Sequence, residues 1–165
     1  MPVSVRRATW LDAGLLAALS AEVQALHAAA LPGWFKPPDP QSFALVMAGL
    51  AADPSNLLLV AEIDGAPAGY VHARLTWHAD TPWRWGYAMI YLHQIGVRAA
   101  HRRRGVGAAL IAAVRAEAAS RNVALLGLDV WSFNADARAF FQSQGFAPYN
   151  ERLWSNVSGP GRDRA

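Results

Sequence analysis

The 165-residue chain has no cysteine, and its one lysine is Lys36. Without cysteine there are no disulfides, no thiolate nucleophile and no zinc site built on sulfur. The five histidines, His27, His72, His78, His93 and His101, show no close ligand spacing of the His-Glu-x-x-His kind, so no metal is expected. A Gly-Lys-Ser/Thr phosphate loop is excluded by the single, misplaced lysine. Long charge-free apolar runs are missing too, and residues 1–15 already carry Arg6, Arg7 and Asp12. These absences lead us to expect a cytoplasmic protein without membrane contact. Charge is also scarce: 15 Lys+Arg against 12 Asp+Glu leave +3, too little to imply a nucleic-acid surface.

What the chain does have is apolar material. A hydrophobic fraction of 53% and a mean hydropathy of +0.11 exclude disorder and support a packed core. The length fits one domain over residues 1–165, with an ordered core of about 3–157.

Residues 3–8 read as a strand, and Thr9 and Asp12 as caps for a helix reaching about Ala28, with Leu15, Leu16, Leu19, Val23 and Leu26 on one face. Residues 31–40 hold four prolines around Trp34 and Phe35 and must be a loop. A short helix over 41–51 follows. Strands over 57–63 and 66–76 flank Asp64-Gly65 as a hairpin, and a polar, aromatic loop over 79–85 leads to a strand over 88–97. The best helix spans 105–120. The unbroken apolar run 123–130 suits a strand covered on both faces, a helix from Asn134 or Asp136 ends at Gly145, one or two strands fit within 146–157, and residues 158–165 read as a frayed tail. Helix after strand in the second half implies parallel pairing, while the first half supplies antiparallel strands.

Arg102-Arg103-Arg104-Gly105-Val106-Gly107-Ala108 sits between an apolar strand and an amphipathic helix. A helix start offers unpaired N–H groups and a partial positive charge, and arginines raise the potential further, so this turn suits a diphosphate. Both glycines are expected to let the main chain approach the ligand. A dinucleotide fingerprint would need a third glycine where Leu110 stands. A plain basic turn, or contact with nucleic-acid phosphates, would use the same residues, though no second basic strip supports the latter.

With these residues in view, the chain resembles the GNAT superfamily of N-acetyltransferases. Arg102-x-x-Gly105-x-Gly107 is similar to its acetyl-CoA motif, and Asn134-x-x-Ala137-x-x-Phe140-Phe141-x-x-x-Gly145-Phe146 to its second signature. Arg6-Arg7-Ala8-Thr9 and residues 57–70 match the front of the fold. The resemblance implies a mixed, mostly antiparallel sheet of six to seven strands with about four helices and a splayed parallel strand pair ending near Val97 and Val130. It further implies acetyl-CoA as donor, with Ile95, Gly96 and Val97 along the pantetheine arm, residues from Arg102 through Ala108 at the pyrophosphate, and Asn134 near the cofactor arm.

Such enzymes let a neutral amine attack the thioester directly, so the protein must take a proton and support the leaving thiolate. His93 falls where many relatives have glutamate and is the leading base, directly or through water; a packed strand histidine is its other reading. Gln94 should face the opposite side unless a bulge intervenes. Phe141 stands where many relatives carry a tyrosine acid, which leaves Tyr149 or water to give a proton. Trp34, Phe35, Trp77, Trp83, Trp85 and Trp154 are candidate acceptor-pocket walls, while Trp77, Trp83 and Trp85 equally suit a homodimer contact. The expected acceptor is an amine of a small molecule or peptide. The alternatives are an acyl-CoA-binding module of the same fold with little catalysis, and a basic interaction protein without cofactor.

Overall fold

The computed structural model describes residues 2–155, which follow one path from strand to helix layers. β1 (Val3–Arg7) leads through a short 3-10 turn at Trp10–Asp12 into α1 (Ala13–Ala30) and α2 (Pro40–Ala52). β2 (Asn56–Ile63), β3 (Ala66–His78) and β4 (Tyr87–Val97) follow, then a second 3-10 turn at Ala99–His101, α3 (Val106–Ser120), β5 (Leu125–Leu128) and α4 (Ala135–Ser143). The strands form one sheet in sequence order, antiparallel from β1 to β4 and parallel between β4 and β5.

Alternation along β2 explains the layering. Leu57, Leu59, Ala61 and Ile63 enter one core with Val106, Leu110, Ile111 and Val114 of α3 and Phe141 of α4. Leu58 and Val60 enter the other with Leu16 and Leu19 of α1, Met47 of α2 and Tyr70 of β3. An unbroken apolar run such as 57–61 in β2 requires such a covering on both faces. The stretch Trp10–Ala30 is apolar and long enough to match a membrane span by composition (mean hydropathy 1.2). In the fold, however, Leu16, Ala17, Leu19 and Ser20 of that helix are buried against the sheet.

Local signals set the boundaries. Asp12 accepts the Thr9 N–H at 2.8 Å and two bonds from Arg6 at 2.8 and 3.0 Å, and Arg6 also meets Glu62 at 2.8 Å. This fastens β1 to the entry of α1, and the Arg6 guanidinium holds the Asp12 carboxyl down at about 2. Asp39 accepts the Gln41 N–H ahead of Pro40 at the first helical position. Asp64 and Gly65 both take positive φ, 52° and 76°, as a tight hairpin turn demands.

Among the described residues the sheet has five strands rather than six to seven. Residues 146–155 form none: Pro148 cannot donate to a ladder, and Asn150, Glu151 and Arg152 are exposed polar residues with no apolar face to bury. β5 covers only Leu125–Leu128 of the run expected to reach Val130. Residues 156 and 157, where a last strand was expected, and the polar tail 158–165 lie outside the described residues.

Candidate functional site

The parallel pair is short. β4 meets β5 only from Met89↔Leu125 to Leu92↔Leu128, after which β4 runs on to Val97 while the other chain turns away toward Asn134, the cap of α4. From His93 onward, that edge of β4 therefore lacks a strand neighbour, and its peptide groups face an opening. The opening holds a cleft of about 670 Å³ bounded by α1, the end of β4, the start of α3 and α4. A smaller cavity of about 130 Å³ continues it between the parting strands to His93, Asp129 and Trp131. Val23, His27, Ile95, Asn134, Ala137 and Phe141 line both spaces.

Ile95, Gly96, Val97, Arg102, Arg103, Gly105, Val106, Gly107, Ala108, Asn134 and Phe141 all line the larger cleft, which brings eleven of the expected cofactor residues to one surface. Arg104 does not line it; its guanidinium meets His101 Nδ1 at 3.3 Å. Gly105 caps α3 in the left-handed region at φ 81° and offers no side-chain acceptor. The first internal bond runs from the Ala109 N–H to the Gly105 carbonyl at 2.9 Å. The N–H groups of Val106, Gly107 and Ala108 thus have no acceptor within the helix, and they open on the cleft. Arg102 Nε donates to the Val97 carbonyl at 3.2 Å, tying the basic turn to the end of β4.

The two glycines have different reasons. Gly105 needs its freedom for a positive φ, and a Cβ there would touch nothing within 4 Å. A Cβ on Gly107 would come within 2.9 Å of the Phe140 ring, so the close packing of α3 on α4 already requires this glycine.

His93 occupies a β-bulge. The β3–β4 register passes from His72↔Gln94 to Ala73↔Leu92, which leaves His93 as the extra residue. The bulge overrides simple alternation: Gln94 accepts the Ser20 hydroxyl of α1 at 2.9 Å, and His93 lies on that same side, stacked on His72 at 4.9 Å and beside Tyr91 at 5.1 Å. His72 Nε2–H donates to Asn56 Oδ1 at 3.0 Å, and Asn56 is buried. Burial, then His93 and Arg74, lower the His72 pKa to about 4. Burial and Arg74 also hold His93 below its ordinary value. The two imidazoles are neutral near pH 7, which suits a proton acceptor. Tyr91 is pushed above the usual phenol range by burial and by the neighbouring Asp129 carboxylate.

Tyr149 is 77% exposed and lies near enough to Tyr91 to affect its ionisation, but it lines neither space. Trp34 and Phe35 join an aromatic cluster at the mouth of the smaller cavity: Phe35 with Trp131 at 5.1 Å and with His27 at 5.0 Å, Trp34 with Trp131 at 6.5 Å and with Trp154 at 5.3 Å. Trp77 and Trp83 are not part of it. They stand 75% and 92% exposed at the tip of the β3–β4 hairpin, beside Trp85, and line neither space. That tip precedes the start of β4 at Tyr87, roughly 20 Å along the strand from His93. Sequence reasoning singled out neither Tyr91, Asp129, Trp131 and Phe133 nor, beyond their metal-ligand spacing, His27 and His72. The spacing of Tyr91 and His93, two apart on one strand, was a usable signal for the first of these.

The sequence model of the acetyltransferase (GNAT) family matches residues 21–146, most of the chain and, apart from the first turns of α1, the elements that form the cleft. The chain belongs to the GNAT acetyltransferase family. Comparison with curated proteins found no match. Among solved structures, a mutant BH1408 protein from Bacillus halodurans is similar with a TM-score of 0.86 at 21% identity, over 94% of this chain and 99% of that one. The aminoglycoside N-acetyltransferase AAC(6')-Iy in complex with CoA gives 0.75 at 17%, over 94% and 95%. Ribosomal-protein-alanine N-acetyltransferase from Brucella melitensis biovar Abortus 2308 gives 0.68 at 23%, over 96% and 100%. At these identities the likeness is one of fold.

As a GNAT member the chain is an acyltransferase, and acetyl-CoA is its acyl donor. The site's own features fit that donor. Three N–H groups at a glycine-capped helix start suit the pyrophosphate, the unpaired edge of β4 suits an amide-bearing arm, and the cleft volume lies within the range of cofactor sites.

Proposed function

We propose that this GNAT acetyltransferase moves an acetyl group directly onto a primary amine of a small molecule or peptide, with His93 as the proton acceptor. The observation that carries the reading is the bulge. It turns a neutral imidazole toward the point where the open edge of β4, the cleft and the smaller cavity meet. When bound, the donor supplies an activated thioester carbonyl. The amine N–C bond forms as the C–S bond breaks, and the amine proton passes to His93 directly or through one water.

The N–H groups of Val106, Gly107 and Ala108 take the pyrophosphate, with Arg102 and Arg103 raising the potential. Ile95, Gly96 and Val97 offer main-chain partners to the pantetheine arm, and Asn134 and Phe141 close its other side. Phe141 has no proton to give, so the sulfur takes one from water or from Tyr149. The reading also includes a cytoplasmic location, and a homodimer through the exposed Trp77, Trp83 and Trp85, which sedimentation of wild type and Trp83→Ser would test.

The experiment is thiol release from acetyl-CoA across an amine panel, alongside calorimetric binding of acetyl-CoA. Saturable binding that Ala108→Trp abolishes, with turnover that His93→Ala impairs, is the expected result. Binding without turnover on any amine would leave an acyl-CoA-binding module instead.

A further inference from the structure

We propose that the acceptor is a primary amine carried on a flat aromatic body, held against a wall of rings at the mouth of the smaller cavity, and not a polycation. The proposal rests on the reading above, that the amine reaches His93. Four rings close on one another there: His27 from the last turn of α1, Phe35 from the following loop, and Trp131 and Phe133 from the turn after β5. Their centroids are 5.0 Å (His27 to Phe35), 5.1 Å (Phe35 to Trp131), 6.4 Å (Trp131 to Phe133) and 5.7 Å (His27 to Phe133). Trp34 and Trp154 extend the same surface outward and remain 54% and 61% exposed.

The arrangement decides the class of ligand. A cage for an alkylammonium sets ring faces across a gap from one another, with the cation between them. Here His27–Phe35, Phe35–Trp131 and His27–Phe133 meet edge to face or tilted, while Trp131 and Phe133 lie nearly parallel at 25°, so the four rings close on one another as one continuous wall whose free surface suits another flat ring in offset or edge contact. Trp131 and His27 line the cavity that ends at His93, so a ring resting on the wall can place an amine on a short tether at the imidazole.

Charge points the same way. Asp129 is the one carboxylate lining the smaller cavity among the described residues, and it is engaged with Tyr91. Arg74 acts on His93, and Arg152 acts on Tyr91, so two guanidinium groups face the same region. A polyamine or aminosugar with several ammonium groups would meet one committed carboxylate and two like charges. An amine with a single nitrogen loses its charge before it attacks and meets no such penalty.

The test uses the full chain with saturating acetyl-CoA and compares phenethylamine, n-propylamine, spermidine and neamine by thiol release. We expect phenethylamine to exceed each of the others in kcat/KM by about 10-fold or more. Trp131→Leu and Phe35→Leu should each remove most of that advantage, with a clearly larger fall in kcat/KM for phenethylamine than for n-propylamine. Equal rates for phenethylamine and n-propylamine, a preference for spermidine or neamine, or an equal fall on both monoamines in the variants would overturn the proposal. Should no amine support turnover, the direct-transfer reading fails, and calorimetry with CoA present still decides this one. Phenethylamine binding tighter than spermidine, and weakened in Trp131→Leu, upholds the aromatic wall, whereas equal or weaker binding refutes it.

Discussion

At the scale of single residues, the proposed reaction turns on the His93 imidazole and what holds it. Because burial and Arg74 lower its pKa, the neutral form dominates at pH 7, and activity should fall on acidification only below the ordinary histidine value of about 6.5. A pH–rate profile checks this, and His93→Ala should reduce kcat by about 100-fold or more at pH 7. A full rate in that variant across the pH range would remove His93 from the chemistry. In the proposed reaction His72 would act through His93: its ring stacks on the His93 ring and is fixed by Asn56. In His72→Ala that stack goes, His93 becomes more hydrated, and both the acidic limb and the His93 ring titration followed by NMR should move up toward 6.5. In His72→Phe the stack is kept and the limb should stay near its wild-type position. His93 was singled out through the family resemblance, by its place in the strand ahead of the basic turn. The bulge was not legible, because an extra residue in one strand shows only once the partner's register is known. The aromatic residues divide likewise. Trp34 and Phe35 could be assigned to a loop near the cleft, but composition does not reveal which end of a sheet a loop occupies, and so Trp77 and Trp83 were grouped with them.

At the scale of elements, α3 and its neighbours carry the argument. Its glycine cap and the bonding frame that begins at Ala109 leave three N–H groups for a ligand. Ala108 lines the cleft one turn in, so Ala108→Trp should abolish acetyl-CoA binding in a calorimeter while the unfolding midpoint without ligand changes little. Gly107→Ala should behave differently. The added methyl presses on Phe140, and stability should fall by about 1–2 kcal/mol in urea titration, with Phe140→Leu relieving part of the loss. The helix and the basic turn were readable because amphipathic spacing and a Gly-x-Gly after an apolar strand are local patterns. The missing last strands were not, since a short, partly apolar segment such as 146–155 becomes a strand only if an edge receives it, and β5 offers four residues.

At the scale of the whole molecule, several groups with lowered pKa values tie stability to pH, His72, His93 and Asp12 among them. His72, at about 4, and Asp12, at about 2, both release protons more readily in the fold than in the unfolded chain. The unfolded state then binds more protons on acidification, so stability is complete above about 6.5 and declines as pH falls. His72, joined by His93, accounts for the loss that begins below about 6.5 and for His72 runs to about 4, and Asp12, with smaller help from Asp39 and Asp53, for a further loss below the ordinary 3.8. Urea midpoints should therefore drop from pH 7 to pH 5, and His72→Phe should flatten that first drop while leaving the one near pH 3.

The central claim is that the start of α3 binds the donor's pyrophosphate through main-chain N–H groups. The most direct measurement is a titration of 15N-labelled protein with CoA, followed amide by amide. The largest shifts should fall on Val106, Gly107 and Ala108, with Arg102 and Arg103 beside them and Gly96 and Val97 next. If CoA binds while those three amides stay in place and another surface responds, the site has been put in the wrong part of the molecule.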